Sequence, residues 1–202
     1  MVQELLKLQS LRLGTRDSQG GTALLTSLAW KNSAITRALL TYDQAKDEVE
    51  SSQLLSFVKG RTLLYLACCS DQVEMVKELL EFSPELQINR ANKDAEGHTP
   101  LLAAVTKGDV ALCRMLLEEY GADPDAPDAD GSSPLHCAVA DHDDEALLRA
   151  LLDNRANPHL VDSFGLRPLD IAAAMNKNEL IPLLLAAEAS YAVEEASEPS
   201  PR

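Results

Sequence analysis

Two consecutive stretches of the chain, Asp94 to Pro127 and Asp128 to Val161, carry almost the same order of polar turn, short apolar helix and second apolar helix. Gly97, Gly131 and Gly165 are spaced by 34 residues each, a period that marks one structural unit repeated in tandem. Gly60 to Phe82 shows the same pattern, with helices predicted near Leu63–Ser70 and Val73–Phe82. Asp17 to Leu40 repeats it more loosely, with Gly20 and Thr22 in the turn. Ahead of it, Val2, Leu5, Leu6, Leu8 and Leu13 make one face of a helix apolar. That helix is too short to be stable alone and suits a half-repeat covering the end of a stack. Thr41 to Lys59 interrupts the period and reads as an extended helix end plus a loop.

The expected architecture is therefore an all-α solenoid of helix-turn-helix units joined by turn or hairpin fingers. A capping helix is expected over 1–16 and a repeat domain over 17–191, with about five repeats at 17–56, 57–93, 94–127, 128–161 and 162–191. The charged, Pro/Ser-rich end, 192–202, is expected to be a disordered tail. Pro182 is compatible with the last helix only within its first turn.

The residue types inside a unit have mechanical reasons. Glycine in the turn permits positive φ, Thr99 and Ser133 are placed to cap a helix start, and Pro100 and Pro134 preset the first helical φ. Ala103, Ala104, Ala138, Ala172 and Ala173 are small enough to let neighbouring helices approach. Leu116, Leu117, Leu151, Leu152, Leu184 and Leu185 are expected to fill the layer behind them. Outward-facing Ala186, Ala187 and Glu188 would suit a terminal cap.

Composition adds one strong asymmetry. Of 202 residues 46% are apolar, enough for a stacked core. The net charge is −14, and all of it lies after residue 93: residues 1–93 hold 11 acidic and 11 basic side chains, residues 94–202 hold 21 and 7. Such a field repels nucleic acid and anionic membranes and favours a basic protein partner. Met1 to Thr15 contains no uninterrupted apolar segment, so a secretory signal is not expected, and no run approaches membrane-spanning length. A cytoplasmic or nuclear monomer is expected. Cys68, Cys69, Cys113 and Cys137 fall within helical patterns without a CxxC partner and read as small buried thiols.

Catalytic and metal readings fail on context. Asp123, Asp125, Asp128 and Asp130 before Gly131 have the look of a calcium loop, but Ala126 would occupy its first ligand position and Cys137 its twelfth. His142 among Asp141, Asp143, Asp144 and Glu145 reads as a solvated helix start rather than a metal site. His136 and Cys137 are adjacent on a helix and point about 100° apart, so they form no nucleophile pair. No phosphate loop, GxSxG or HExxH is present. No cofactor, metal or enzymatic activity is expected.

Thr99-Pro100-Leu101 followed by Ala103 and Ala104, the run Ser133 to Ala138, and the helix ends Gly121 to Asp123 and Ala156-Asn157 together resemble the ankyrin repeat. The likeness covers about Asp17 to Ala189 and is strong from Gly60 onward. Its departures are Tyr65, Leu102 and Asp170 in place of the histidine kept at His136, and Arg167 in place of the capping hydroxyl, which would loosen those turns. The resemblance implies a concave protein-binding surface of fingertips and first-helix inner faces. Counting Asp94, Asp128 and Asp162 as first, the family's variable contact positions fall on Glu96, His98 and Lys107, on Asp130, Ser132 and Asp141, and on Phe164, Leu166 and Met175. The same register reaches Trp30 and Val58 in the earlier units. An adaptor engaging a basic protein segment on this face is the expected function. An escort for a highly basic protein and a regulatory accessory in transcription or metabolism are the alternatives.

Overall fold

The computed structural model describes residues 22–30, 32–44, 61–70, 73–82, 88–92 and 96–197. They fall into two compact units divided at Asp94, the same point at which the chain changes from neutral to strongly acidic. Helices are the extended regular elements among the described residues, as an all-α fold requires. The capping helix expected over 1–16, Val58, and the connection beyond Gln44 through residue 60 lie outside the described residues.

The first unit contains α1 (Ala23–Ala29), α2 (Ser33–Gln44), α3 (Leu63–Cys69) and α4 (Val73–Phe82). α1 packs on α2, α3 on α4, and α2 on α4. Leu24, Leu28, Leu39, Leu63, Leu64, Met75, Val76 and Leu79 are buried, each large side chain contributing about 1.5–3 kcal/mol. A buried hydroxyl pair, Ser27 Oγ and Thr36 Oγ1 at 2.7 Å, joins α1 to α2. The Arg37–Glu78 ion pair joins α2 to α4. Thr62 caps α3 by accepting from the Tyr65 N–H at 3.1 Å, and its own buried N–H donates to Asn92 Oδ1 at 2.9 Å.

In the second unit the pairs are α5 (Pro100–Thr106) with α6 (Val110–Arg114), α7 (Pro134–Asp141) with α8 (Glu145–Asp153), and α9 (Pro168–Ala174) with α10 (Ile181–Ser197). α6 continues into one π-helical turn, Met115–Glu119. Successive first helices pack in a row, α5 on α7 and α7 on α9, and α6 packs on α8 behind them. Each first helix begins with proline, whose missing N–H is one of the groups a helix start leaves unbonded anyway. Close stacking is possible because Ala103, Ala104, Ala138 and Ala172 are buried at the contacts.

The expected leucine layer holds for Leu116, Leu117, Leu151 and Leu184, all buried, and Leu152 is half-buried. Leu185 departs from it at 51% exposed, and Ala173 is exposed too. Both belong to the last helix pair, where no further described pair follows to cover them. Cys69 is likewise exposed and Cys137 half-buried rather than buried, whereas Cys68 and Cys113 are enclosed. α10 runs to Ser197, so 192–197, expected as part of a disordered tail, are helical; the remainder lies outside the described residues. Pro182 is in the first turn of α10. Ala186 faces outward as a cap would, but Glu188 turns back to bond Arg167 at 3.1 Å.

Between the pairs the chain forms fingers. Asp128 N–H donates to Ser132 C=O and Asp162 N–H to Leu166 C=O, both at 3.0 Å, closing two tight loops. Ala129 N–H donates to Glu96 C=O and Ser163 N–H to Asp130 C=O, also at 3.0 Å, laying each finger beside the next. Gly131 has φ 76°, and a Cβ there would sit 3.2 Å from Ser163 N; Gly165 has the same φ but open space around it. Gly131→Ala is therefore expected to cost more than the conformational penalty of about 1–2 kcal/mol shared by Gly165→Ala. Urea denaturation of the two variants compares them directly; equal losses would mean that the finger-to-finger approach adds nothing.

Candidate functional site

The fingers are held by side chains as well as backbone. Asp128 Oδ1 accepts from the N–H of Asp130 (2.9 Å) and of Ser132 (2.8 Å). Asp162 Oδ1 does the same for Phe164 and Leu166, at 2.9 Å each. Asp123 and Asp125 accept backbone N–H groups of Asp125 and Asn157, at 2.9 and 2.8 Å. Half burial raises the Asp125 carboxyl above its ordinary range. These carboxylates organise repeat junctions.

His136 lies at the base of this structure, 1% exposed. Its Nδ1 is 3.1 Å from the Ser133 N–H and must accept from it. Its Nε2 is 2.9 Å from the Leu166 carbonyl and must donate to it. That requires the neutral Nε2–H tautomer, tied at one nitrogen to its own helix start and at the other to the next finger. In the following unit Asp170 replaces the first of these two ties, since its Oδ2 accepts from the Arg167 N–H at 3.0 Å. The Arg167 guanidinium then bonds Asp170 and Glu188, and it holds the Asp170 carboxyl below the usual carboxylate range. The loss of the hydroxyl cap, expected to loosen this turn, is thus offset by an ion-paired network.

A second set of ties, which sequence reasoning missed, sits at the far ends of the first helices. His142 Nε2 donates to Thr106 C=O at 3.1 Å. Lys177 Nζ donates to His142 C=O (2.9 Å) and Ala140 C=O (3.3 Å) and pairs with Asp143 at 3.1 Å. Thr106, His142 and Lys177 follow one another at 36 and 35 residues. That near-period spacing was the available signal.

The sequence-predicted residues of the second unit lie on the fingers and at the far ends of the first helices. Glu96, Asp130 and Phe164 occupy equivalent places on adjacent fingers, and Glu96 Oε2 is 3.8 Å from His98 Nδ1. Ser132 is half-buried in its loop; Lys107 and Asp141 are exposed at the ends of α5 and α7. Phe164 is 80%, Leu166 42% and Met175 50% exposed. Val161, not singled out from sequence, adds a further exposed apolar side chain beside the last finger. In the first unit Trp30 stands at the end of α1, 80% exposed.

Burial pushes the Cys113 and Cys137 thiols up to about 12, so neither is a thiolate near neutral pH, and both His136 nitrogens are committed to structure. Among the described residues, none of the histidine, cysteine and acidic side chains form a group of three able to hold a metal ion. No helix there is long and apolar enough to cross a membrane.

A family model described as ankyrin repeats (3 copies) matches residues 29–128 and 120–195, most of the chain. The chain belongs to the ankyrin repeat family. Among curated proteins there is no match. Ankyrin repeats are in general modules for protein–protein interaction, and the stacked helix pairs and fingers of this ankyrin protein are the corresponding all-α solenoid.

Proposed function

We propose that this ankyrin protein is a non-enzymatic, monomeric adaptor of the cytoplasm or nucleus that binds a basic protein segment. The binding face is formed by the fingertips and first-helix ends of the second unit. One observation carries the reading: three large apolar side chains, Phe164, Leu166 and Met175, stand in solvent in the half of the chain that holds 21 acidic and 7 basic side chains, Asp130 and Asp141 among the exposed acids. Desolvated apolar anchors in a polar surround are the usual energetic centre of an interface, and the acids select a cationic partner.

Affinity capture with quantitative mass spectrometry tests this. Phe164→Ala and the pair Asp130→Lys/Asp141→Lys should each reduce recovery of the same partner by about tenfold or more. Unchanged recovery with both would remove the site from this face. The concentration of the whole −14 charge after residue 93 supports a second reading, an escort that shields a highly basic protein through its field alone. Binding by field alone should collapse between low and high salt, whereas an apolar-anchored adaptor should retain most of its affinity.

A further inference from the structure

We propose that a cavity beside Met175 seats a lysine or arginine side chain of the bound segment, three or four residues from an apolar side chain resting on Phe164 and Leu166. The proposal builds on the adaptor reading and specifies its ligand. The cavity, about 380 Å³, opens at the end of α9 opposite the finger. Met175 and Leu180 supply apolar wall, and Asp143 and Glu179 supply carboxylates. An alkyl stem lying on Met175 with its cationic head at the carboxylates fits that lining.

Lys177 also lines the cavity, but it offers nothing to an anion. Its side chain is only 10% exposed, and its ammonium is directed to Ala140 C=O, His142 C=O and Asp143. An ammonium has three N–H groups, so none remains for a ligand. With Lys177 offset by Asp143, the exposed Glu179 leaves the lining net negative. An acidic side chain is therefore disfavoured and a basic one favoured.

The spacing follows from the helix between the two subsites. α9 has seven residues and is about 10 Å long at ~1.5 Å per residue. An extended segment covers that distance in three or four residues at ~3.3 Å each.

The test uses the full chain and fluorescein-labelled Gly/Ser peptides bearing one leucine and one arginine, one to six residues apart and in both orders. Fluorescence anisotropy should give tightest binding at a separation of three or four, about tenfold above a separation of one. Glu179→Lys should remove that preference while leaving the affinity for the leucine-only peptide unchanged. Equal unfolding midpoints would confirm that this surface variant is folded. No spacing preference, a preference for glutamate over arginine, or insensitivity to Glu179→Lys would overturn the cavity assignment. If Phe164→Ala still weakened leucine peptides, the adaptor reading would survive that result. Absence of binding by every peptide, with Phe164→Ala also without effect on partner capture, would overturn both.

Discussion

Leu184→Ala should lower the unfolding free energy by about 2–5 kcal/mol, while Leu185→Ala, one residue on, should change it by less than about 1 kcal/mol. Leu184 is 0% exposed and Leu185 51% exposed on the same helix. Truncating Leu184 loses the transfer free energy of three carbons and leaves a void that its packed neighbours fill only partly. Truncating Leu185 loses only partial contacts at a water-facing surface. Urea denaturation of both variants measures the difference. Similar losses would mean that Leu185 is covered in solution and that the end of the stack is sealed.

His136→Ala should cost about 2–4 kcal/mol in the same measurement, because it leaves the buried Ser133 N–H without its acceptor and breaks the tie to the next finger. The Ser133 N–H is buried and has Nδ1 as its acceptor. The Leu166 C=O loses the Nε2–H donor that reaches it from 30 residues away. Alanine also leaves a cavity where a fully enclosed imidazole stood. The second bond ties stability to function: Leu166 belongs to the finger that presents Phe164, so partner recovery should fall even where most of the chain remains folded. A loss below about 1 kcal/mol would show that water replaces both bonds.

How far these features were legible depended on the distance over which each is determined. The helix pairs, the proline starts and the Thr99 cap follow rules that act within about four residues, and the structure places them where the pattern did. His136 was legible as a bracing residue through the family motif. That its second bond ends on Leu166 was not, since that partner is supplied by the next unit. The same applies to His142, expected in a solvated helix start, and to Lys177, for which the local pattern suggested no role: stacking brings Thr106 and Ala140 within their reach. Arg167 misled for a related reason: the missing hydroxyl was visible in sequence, but the compensating Glu188 lies 21 residues away on another helix.

The candidate site divides in the same way. Register alone nominated Phe164, Leu166 and Met175, and each is exposed. Register could not find the cavity beside Met175, which exists because Asp143 of one unit faces the α9–α10 turn of the next. Nor could it distinguish Cys69, exposed, from the enclosed Cys68 beside it.

The sequence by itself determined the period, the helical class, the charge break near residue 94 and the local turn chemistry, since all four are properties of neighbouring residues or of simple composition. Only the tertiary structure decided which leucines are core, which polar groups join one unit to the next, and which side of the last pair stays open. Those outcomes depend on what the adjacent layer supplies, and at Leu185 and Ala173 no further described layer is present to cover them.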